Sequence, residues 1–600
     1  MSPGAGANGG LRGAGFGPNF PAMKFLPLSL AMVGLLTVRA PLAAGTTADA
    51  AFQGAAHDYL ESYLRLNPEE ATELGDHRFD GQLHDYSPAG RQAEADHARK
   101  SLAALDRIDA AALTGPNRVD VQILRQSIQY ELFTLEQLRP YENDPRSYNG
   151  SFADALYFLT ARDFAPAEAR LHTLAQRLDR IPAVVAQAQA NLQNPARILT
   201  ETAIDQTGGA INLIRHDLEP LLQQVPALRA EVAPAQAKAL AALTAYQQWL
   251  KTDLLPRSTG SFRLGEKLFR QKLKFALSSD LSPEEILRRA QAELARTTEQ
   301  MYATARPLYL ARHPGADAAT LADRPKVIRA VLDQLAERSL TDQTIVAEAK
   351  ATLQAATDFV RSHDLMTVPA TPVRVIVAPE FNWGNSVAYC QPPGALEPQV
   401  ETFYAIAPTP TDWTEARKRS FFREYNFYML NDLTVHEAMP GHYLQLAHAN
   451  QFQAPTLVRA LFSSGSFVEG WAVYTERVMA EAGFGGPEVR MQQLKMRLRA
   501  IINAILDQRI HMGDMTREQA LALMMQQGFQ EEGEAVGKWK RALLTSTQLS
   551  TYFVGTTEHD DLRAAAEAKW GPAFTLKRYH DTVLSFGSPP VKFVRQEMGL

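Results

Sequence analysis

The chain has 600 residues, of which 46% are hydrophobic and 21% are charged, and its formal net charge is −5. These are ordinary values for a globular protein with a large buried core. The near balance of charge argues against a nucleic-acid partner, which favours a strongly basic face. A single cysteine, Cys390, excludes an intrachain disulfide and a cysteine-rich metal cluster.

Residues 1–48 are predicted to be an N-terminal extension followed by a signal peptide. The first 22 residues are glycine-rich, and Met23 is an alternative start. Lys24 then precedes an apolar run at residues 25–36, which is short for a transmembrane helix and is followed by small residues. We expect export to the periplasm or out of the cell, with no stable membrane span after signal removal. An N-terminal membrane anchor is the alternative.

From about residue 50 to residue 361 the sequence predicts helices. Leu, Ala, Glu, Gln and Arg dominate, and apolar residues recur at intervals of three and four. Ser282 and Pro283 have the residue types of an N-cap and a first helical position. Helical patterns resume at Trp413 and continue nearly to the end.

Short β-branched segments separated by proline and glycine predict a small sheet near residues 370–408. The candidate strands are residues 373–379, 386–392 and 400–408. The expected fold is therefore mostly α with this one small sheet. We expect a single domain over residues 49–600, and a division into two lobes (49–365 and 366–600) stays open.

The strongest chemical signal is the segment His-Glu-Ala-Met-Pro-Gly-His. A hydrolytic zinc site needs histidine or carboxylate ligands and a carboxylate that accepts a proton from water. His436 and His442 are six residues apart, so on a regular helix their side chains would diverge by about 120°. Pro440 and Gly441 lie between them, and a break there would redirect His442 towards His436. Glu437 would then be the general base.

A third ligand is expected downstream. Glu469 follows His442 by 27 residues, enough for a loop and a returning helix. Glu476 lies seven residues further on the same helix face and is predicted to hold a ligand histidine from behind. His448 is a weaker ligand candidate.

These motifs, together with three C-terminal stretches, resemble the bacterial domain-of-unknown-function 885 family. The stretches are residues 507–513, 551–555 and 578–587. The resemblance extends from about Phe52 to the C-terminus, and it implies a large helical architecture similar to gluzincin zinc peptidases. One departure is Tyr443, because many members have a second histidine there.

The resemblance implies an exported zinc hydrolase that cleaves peptide bonds of oligopeptides with one zinc ion, through a metal-activated water. Related peptidases place a late tyrosine as the donor to the developing oxyanion, and Tyr552 is the candidate here. His580 is the next candidate, with a structural hydrogen-bonding role as its alternative. Asp507 and His511 are expected to form a pair facing the cleft or, equally, a surface pair.

Two expectations concern the substrate. A peptide could add to an edge of the sheet, at residues 385–392 or 400–407, and the helical lobe could restrict access to short peptides. The alternatives are a non-catalytic peptide- or metal-binding protein and a zinc amidase acting on cell-wall fragments. Manganese or cobalt would suit the same ligands. The oligomeric state is not predicted.

Overall fold

Helices make up most of this computed structural model, which describes residues 46–378, 387–397, 400–411 and 413–600. The predicted fold class, mostly α with one small sheet, is confirmed. The predicted signal peptide lies outside the described residues. Thr46 to Leu600 form one unit, and no helix within the described ranges is long and apolar enough to cross a membrane.

The helices before the sheet form the amino-terminal part of this unit. They are α1 (Thr47–Leu66), α2 (Pro68–Leu74), α3 (Pro88–Leu105), α4 (Asn117–Phe133), α5 (Pro140–Asn143), α6 (Ala155–Thr160), α7 (Ala167–Asn191), α8 (Arg197–Asn212), α9 (Glu219–Gln224), α10 (Arg229–Trp249), α11 (Leu255–Arg257), α12 (Glu266–Leu277), α13 (Pro283–Arg312), α14 (Ala318–Ala322), α15 (Arg324–Ala336) and α16 (Ile345–Ser362).

The helices after the sheet carry most of the predicted site residues. They are α17 (Glu415–Glu424), α18 (Phe427–Glu437), α19 (His442–Ala449), α20 (Val458–Leu461), α21 (Gly465–Glu481), α22 (Gly486–His511), α23 (Arg517–Ala522), α24 (Glu532–Leu544), α25 (Ser550–Trp570), α26 (Leu576–Leu584) and α27 (Val591–Glu597).

Local sequence accounts for where several helices begin. The side chain of Thr46 accepts from the backbone N–H of Asp49, and the Asp49 side chain accepts from the backbone of Thr46, so α1 starts with a capping box. Ser282 accepts from the N–H of Glu285 at 3.2 Å, and Pro283 is the first residue of α13. The predicted start of α13 is therefore the observed one.

The small sheet has the strand order β1-β3-β2, with β1 at Val373–Val377, β2 at Ala388–Gln391 and β3 at Thr402–Ile406. β3 pairs in parallel with β1 and antiparallel with β2. Both hydrogen-bonding edges of β3 are thus occupied, and the idea that a peptide adds along residues 400–407 is wrong. On β2, the other expected position, the N–H of Cys390 donates to Glu437, and residues 385 and 386 lie outside the described ranges.

Two glycines allow α21 and α25 to touch through their backbones. A Cβ atom built on Gly555 would lie 1.8 Å from the carbonyl oxygen of Ser466, and one on Gly470 would lie 2.3 Å from the carbonyl carbon of Gly555. No side chain fits in that space. The contact places the turn that contains Glu469 against the first turns of α25.

Replacing Gly555 by alanine is expected to destabilise the protein by about 3 kcal/mol, because the two helices must separate to admit the methyl group. The unfolding midpoint in urea measures this. Gly537→Ala in α24 is the matched control: nothing lies within 4 Å of its built Cβ, so alanine should be neutral or stabilise by up to ~1 kcal/mol. Equal midpoints for the two variants would contradict the close crossing.

Candidate metal centre

The first histidine lies at the carboxyl end of α18. His436 is 7% exposed, and its helix ends one residue later at Glu437. The chain then passes through Ala438, Met439 and Pro440 before α19 begins at His442. The helix is interrupted at the point where the proline and glycine predicted it.

Gly441 brings the chain back against the end of α18. Its N–H donates to the carbonyl oxygen of Val435 at 2.9 Å, and a Cβ built on it would lie 1.9 Å from the carbonyl oxygen of His436. The indole N–H of Trp471 donates to the carbonyl oxygen of Pro440 at 3.0 Å. This folding-back places the two imidazole rings 4.7 Å apart between centroids and nearly perpendicular.

The third candidate ligand comes from α21. Ser464 caps this helix by accepting from the N–H of Phe467, and Glu469 lies in its second turn. One carboxylate oxygen, Oε2 of Glu469, lies 3.6 Å from Nε2 of His436 and 3.5 Å from Nε2 of His442. One ligating atom from each of the three residues lies within 4.8 Å of the other two.

The donor set and its spacing fit a zinc ion. Separations of 3.5 and 3.6 Å exceed ordinary hydrogen bonds. They are close to the edge of about 3.3 Å that a tetrahedron of ligands about 2.0–2.1 Å from zinc would have. Two imidazoles and one carboxylate are also the ligand types of hydrolytic zinc sites, which leave a fourth position open.

Two buried carboxyl groups lie behind His436. Glu476, 1% exposed, has its Oε1 2.6 Å from Nδ1 of His436, which leaves Nε2 directed at Glu469. Asp432, one turn before His436 on α18, is 2% exposed. Burial raises the pKa of Asp432 well above its ordinary value, and the charge of Glu476 adds to that effect.

This largely buried cluster therefore contains more carboxyl groups than imidazole rings. Burial opposes the charge on His436, but Glu469 and Glu476 raise its pKa well above the ordinary value. Burial likewise would raise the pKa of Glu469, yet the two imidazoles lower it. A divalent cation bound by these side chains would compensate the charge of the carboxylates.

Glu437 follows the ligand candidate His436 directly in the sequence, but it is not one of the three candidate ligands. Its Oε2 accepts from the backbone N–H of Cys390 on β2 at 3.0 Å. Burial raises the pKa of Glu437, while His436 and His442 lower it. The sheet thus fixes the orientation of the carboxylate that was predicted to be the base.

Tyr552, in the first turn of α25, lies where the charge of Glu469 influences it. Burial raises the pKa of its phenol, and Glu469 raises it further. Its oxygen accepts from Arg541 Nη2 at 2.9 Å and from Gln548 Nε2 at 3.1 Å. Since both of these contacts use the oxygen as acceptor, its own proton is left to donate.

The structure does not bring His580 to the centre. Its Nδ1 lies 2.8 Å from the carbonyl oxygen of Leu365 and its Nε2 lies 2.8 Å from the hydroxyl of Tyr474. It is fully buried, and burial lowers its pKa to about 4. This is the structural role that the sequence left as the alternative. His448 is also elsewhere, with Nε2 2.8 Å from the carbonyl oxygen of Thr367.

Asp507 and His511 face the interior rather than a cleft or the surface. They are 1% and 2% exposed. Asp507 accepts from the N–H and hydroxyl of Ser550, and His511 Nε2 lies 2.8 Å from the carbonyl oxygen of Thr545. Buried hydrogen-bonding groups that bind backbone in this way hold the segment leading into α25. Neither residue belongs to the group of three candidate ligands.

Several contributors were missed in the sequence. Asp432 had a signal, since it lies four residues before His436 and shares its helix face. The backbone N–H of Cys390 had none, because any residue on β2 would offer it. Arg541 and Gln548, which orient Tyr552, also had no signal, because a helical sequence pattern does not reveal which residues from other segments lie nearby.

The chain belongs to the family described as bacterial protein of unknown function (DUF885), whose model matches residues 68–598. The family predicted from the motifs is confirmed, while the likeness to gluzincin peptidases stays a prediction. No curated protein matches the chain.

Solved structures are similar to it, among them the following two. "A putative lipoprotein of unknown function" from Shewanella oneidensis is 32% identical, covers 92% of this chain and 100% of its own, and superposes with a TM-score of 0.77. A "putative lipoprotein" from Colwellia psychrerythraea is 19% identical, covers 92% and 98%, and has a TM-score of 0.74. The second likeness shows the fold alone.

Proposed function

We propose that this protein is an exported zinc-dependent hydrolase that cleaves peptide bonds of oligopeptides, in the manner of gluzincin peptidases. The observation that carries the proposal is the convergence of His436, His442 and Glu469 beside Glu437. A protein that only stored or sensed a metal would need the three ligands but not this additional oriented carboxylate. That difference favours a hydrolase over a non-catalytic binding protein.

Each residue has a separate task in this proposal. His436, His442 and Glu469 would hold the ion, and Glu476 keeps His436 in the tautomer that presents Nε2. Bound zinc supplies a Lewis acid that polarises a substrate carbonyl and makes water more acidic. Glu437 takes a proton from the attacking water and returns it to the leaving amine.

Tyr552 would stabilise the oxygen on which negative charge develops. Its raised pKa keeps the phenol protonated at neutral pH, and Arg541 and Gln548 fix the oxygen so that the remaining proton points elsewhere. A donor placed before the reaction begins costs no reorganisation when charge appears. A peptide that approached β2 would come close to Glu437, because the N–H of Cys390 on this strand donates to the Glu437 carboxylate.

Export is proposed on two grounds. The apolar run at residues 25–36 has the length of a signal sequence. Both similar solved structures carry the name lipoprotein, a class of exported protein. A zinc amidase acting on cell-wall fragments would share the metal chemistry, so the choice of substrate must be made by assay.

The test measures zinc content and hydrolysis of a peptide library together. We expect about one zinc per chain, cleavage that stops after a chelator removes the metal, and recovery when zinc is returned. Cell-wall fragments are assayed in parallel and should not be cleaved. Failure to take up zinc would overturn the metal centre, whereas zinc uptake without cleavage of any substrate would favour the binding protein.

A further inference from the structure

A cavity lies apart from the candidate metal ligands, mainly in the amino-terminal part of the protein. Its volume is about 490 Å³, within the range of small-molecule sites. Helices α1, α3 and α4 form its walls, together with the segment that leads into α21. His436, His442 and Glu469 do not line it.

Aromatic rings form part of its walls. Tyr63 and Phe462 pack edge to face at 5.4 Å, and Tyr59 stacks on Tyr63 at 5.7 Å. Tyr130 and Phe275, which also line the cavity, stack at 5.7 Å. Ring faces attract cations as well as apolar groups.

Two carboxyl groups, Glu131 and Glu94, line the same cavity. Glu131 accepts from the hydroxyl of Tyr59 at 2.7 Å, and Glu70, behind the wall, accepts from the hydroxyl of Tyr63 at 2.7 Å. Glu94, 6% exposed, lies 3.1 Å from Nε2 of His84. Burial raises the pKa of Glu131 to about 7, and the charges of Glu94 and Glu70 add to that effect, so several carboxyl groups would stabilise a cation bound here.

The basic side chains that line the cavity, Arg91 and His84, already have partners within the protein. Arg91 donates to the carbonyl oxygen of Tyr86 and to Asn191, and its guanidinium lies 4.1 Å from the ring centre of Tyr141. His84 has Nδ1 3.1 Å from the carbonyl oxygen of Leu66, so its Nε2 and Glu94 share a proton. Neither group reaches Glu131 in these contacts.

We propose that this cavity binds an organic ammonium group attached to an aromatic or aliphatic body. The ammonium would lie by Glu131 and Glu94, and the apolar part would pack between Tyr63, Phe462 and the Tyr130–Phe275 wall. Two sources share this chemistry: a free small amine, and the amino end of a peptide. Neither requires the metal centre to be catalytic.

The position of the cavity makes the peptide source testable. Ser464 and Gly465 line the cavity, and Gly465 is the first residue of α21. Glu469 follows four residues later, about 6 Å along the same helix. A peptide held by its amino end here would have its next residues close to the metal ligands; this extension rests on the proposed function.

The first experiment is calorimetric binding of phenethylamine, which has no peptide bond, with 2-phenylethanol as the uncharged counterpart. We expect the amine to bind at least tenfold more tightly than the alcohol. Glu131→Gln, which keeps an acceptor for Tyr59, and Glu94→Gln should each weaken amine binding at least tenfold. Glu136→Gln, an exposed carboxylate paired with Arg99, should change it less than twofold.

The second experiment compares Phe-Ala-Ala with its N-acetylated form on the Glu437→Gln protein. Binding that acetylation abolishes assigns the cavity to the amino end of a peptide, and binding of phenethylamine alone assigns it to a free amine. Equal binding of amine and alcohol, or unchanged amine affinity in a folded Glu131→Gln protein, overturns the proposal. Because phenethylamine is not a substrate, that failure is distinct from a failure to find hydrolysis.

Discussion

Glu437→Gln is expected to lower kcat for peptide hydrolysis by about 10²- to 10⁴-fold while leaving zinc content unchanged. The amide keeps the size of the side chain, and its oxygen still accepts from the N–H of Cys390. It cannot take a proton from water. Because Glu437 is not grouped with the candidate ligands, the variant separates the base from the metal site. Steady-state rates on the best library peptide, with metal analysis of the same samples, measure both.

The matched control for this variant is Glu481→Gln. Glu481 is on α21, and its side chain is 45% exposed and pairs with arginines at the surface. Removing that carboxylate should alter kcat less than twofold. If Glu437→Gln retained wild-type kcat, another group would be the base. If it lost zinc, Glu437 would be a ligand and the assigned roles would change.

Gly441→Ala is expected to weaken zinc binding by at least ~100-fold. The added methyl would lie 1.9 Å from the carbonyl oxygen of His436 and 2.4 Å from that of Val435, and both are backbone atoms. The turn must open, which carries His442 away from Glu469. Sites of this kind tolerate errors of only about 0.5 Å in ligand position. Competition titration against a chelator measures the affinity.

Two further variants make this result interpretable. Gly465→Ala is close to the same site, but nothing lies within 4 Å of its built Cβ, so zinc affinity should stay within twofold of wild type. His442→Ala leaves the turn unaltered and should lose zinc as severely as Gly441→Ala while unfolding near the wild-type midpoint. Wild-type zinc affinity in a folded Gly441→Ala protein would show that the close turn does not position His442.

Much of the fold could be predicted from the sequence because local residue patterns determine where many helices and strands form. Ser282 and Pro283 start a helix through contacts within one turn, and the β-branched segment at 373–377 needs only its own alternation to be recognised. The order of the strands in the sheet could not be predicted from the sequence. β3 pairs with β1 residues 29 positions earlier (402 − 373) and with β2 residues 12 to 18 positions earlier (403 − 391 and 406 − 388). No local preference encodes which of these segments meet.

The candidate site, too, could be predicted from the sequence only in part. The break at Pro440 and Gly441 was predicted because proline and glycine act on the backbone directly. His580 was a candidate donor to the oxyanion with a structural role as its alternative, and Asp507 was expected to face a cleft or the surface. A sequence shows a residue type but not whether a backbone carbonyl or hydroxyl lies within reach. Their partners, Leu365 and Ser550, come from 215 and 43 residues away.

The backbone contact between α21 and α25 determines how precisely these two helices are positioned relative to each other. At Gly470 and Gly555 the spacing of the two helices is set by main-chain atoms in contact, and main-chain atoms have no rotamers to exchange. The separation between the turn that carries Glu469 and the turn that carries Tyr552 therefore does not vary with side-chain motion. Two side chains from distant parts of the chain are thus positioned by main-chain packing rather than by the rotamers of intervening side chains.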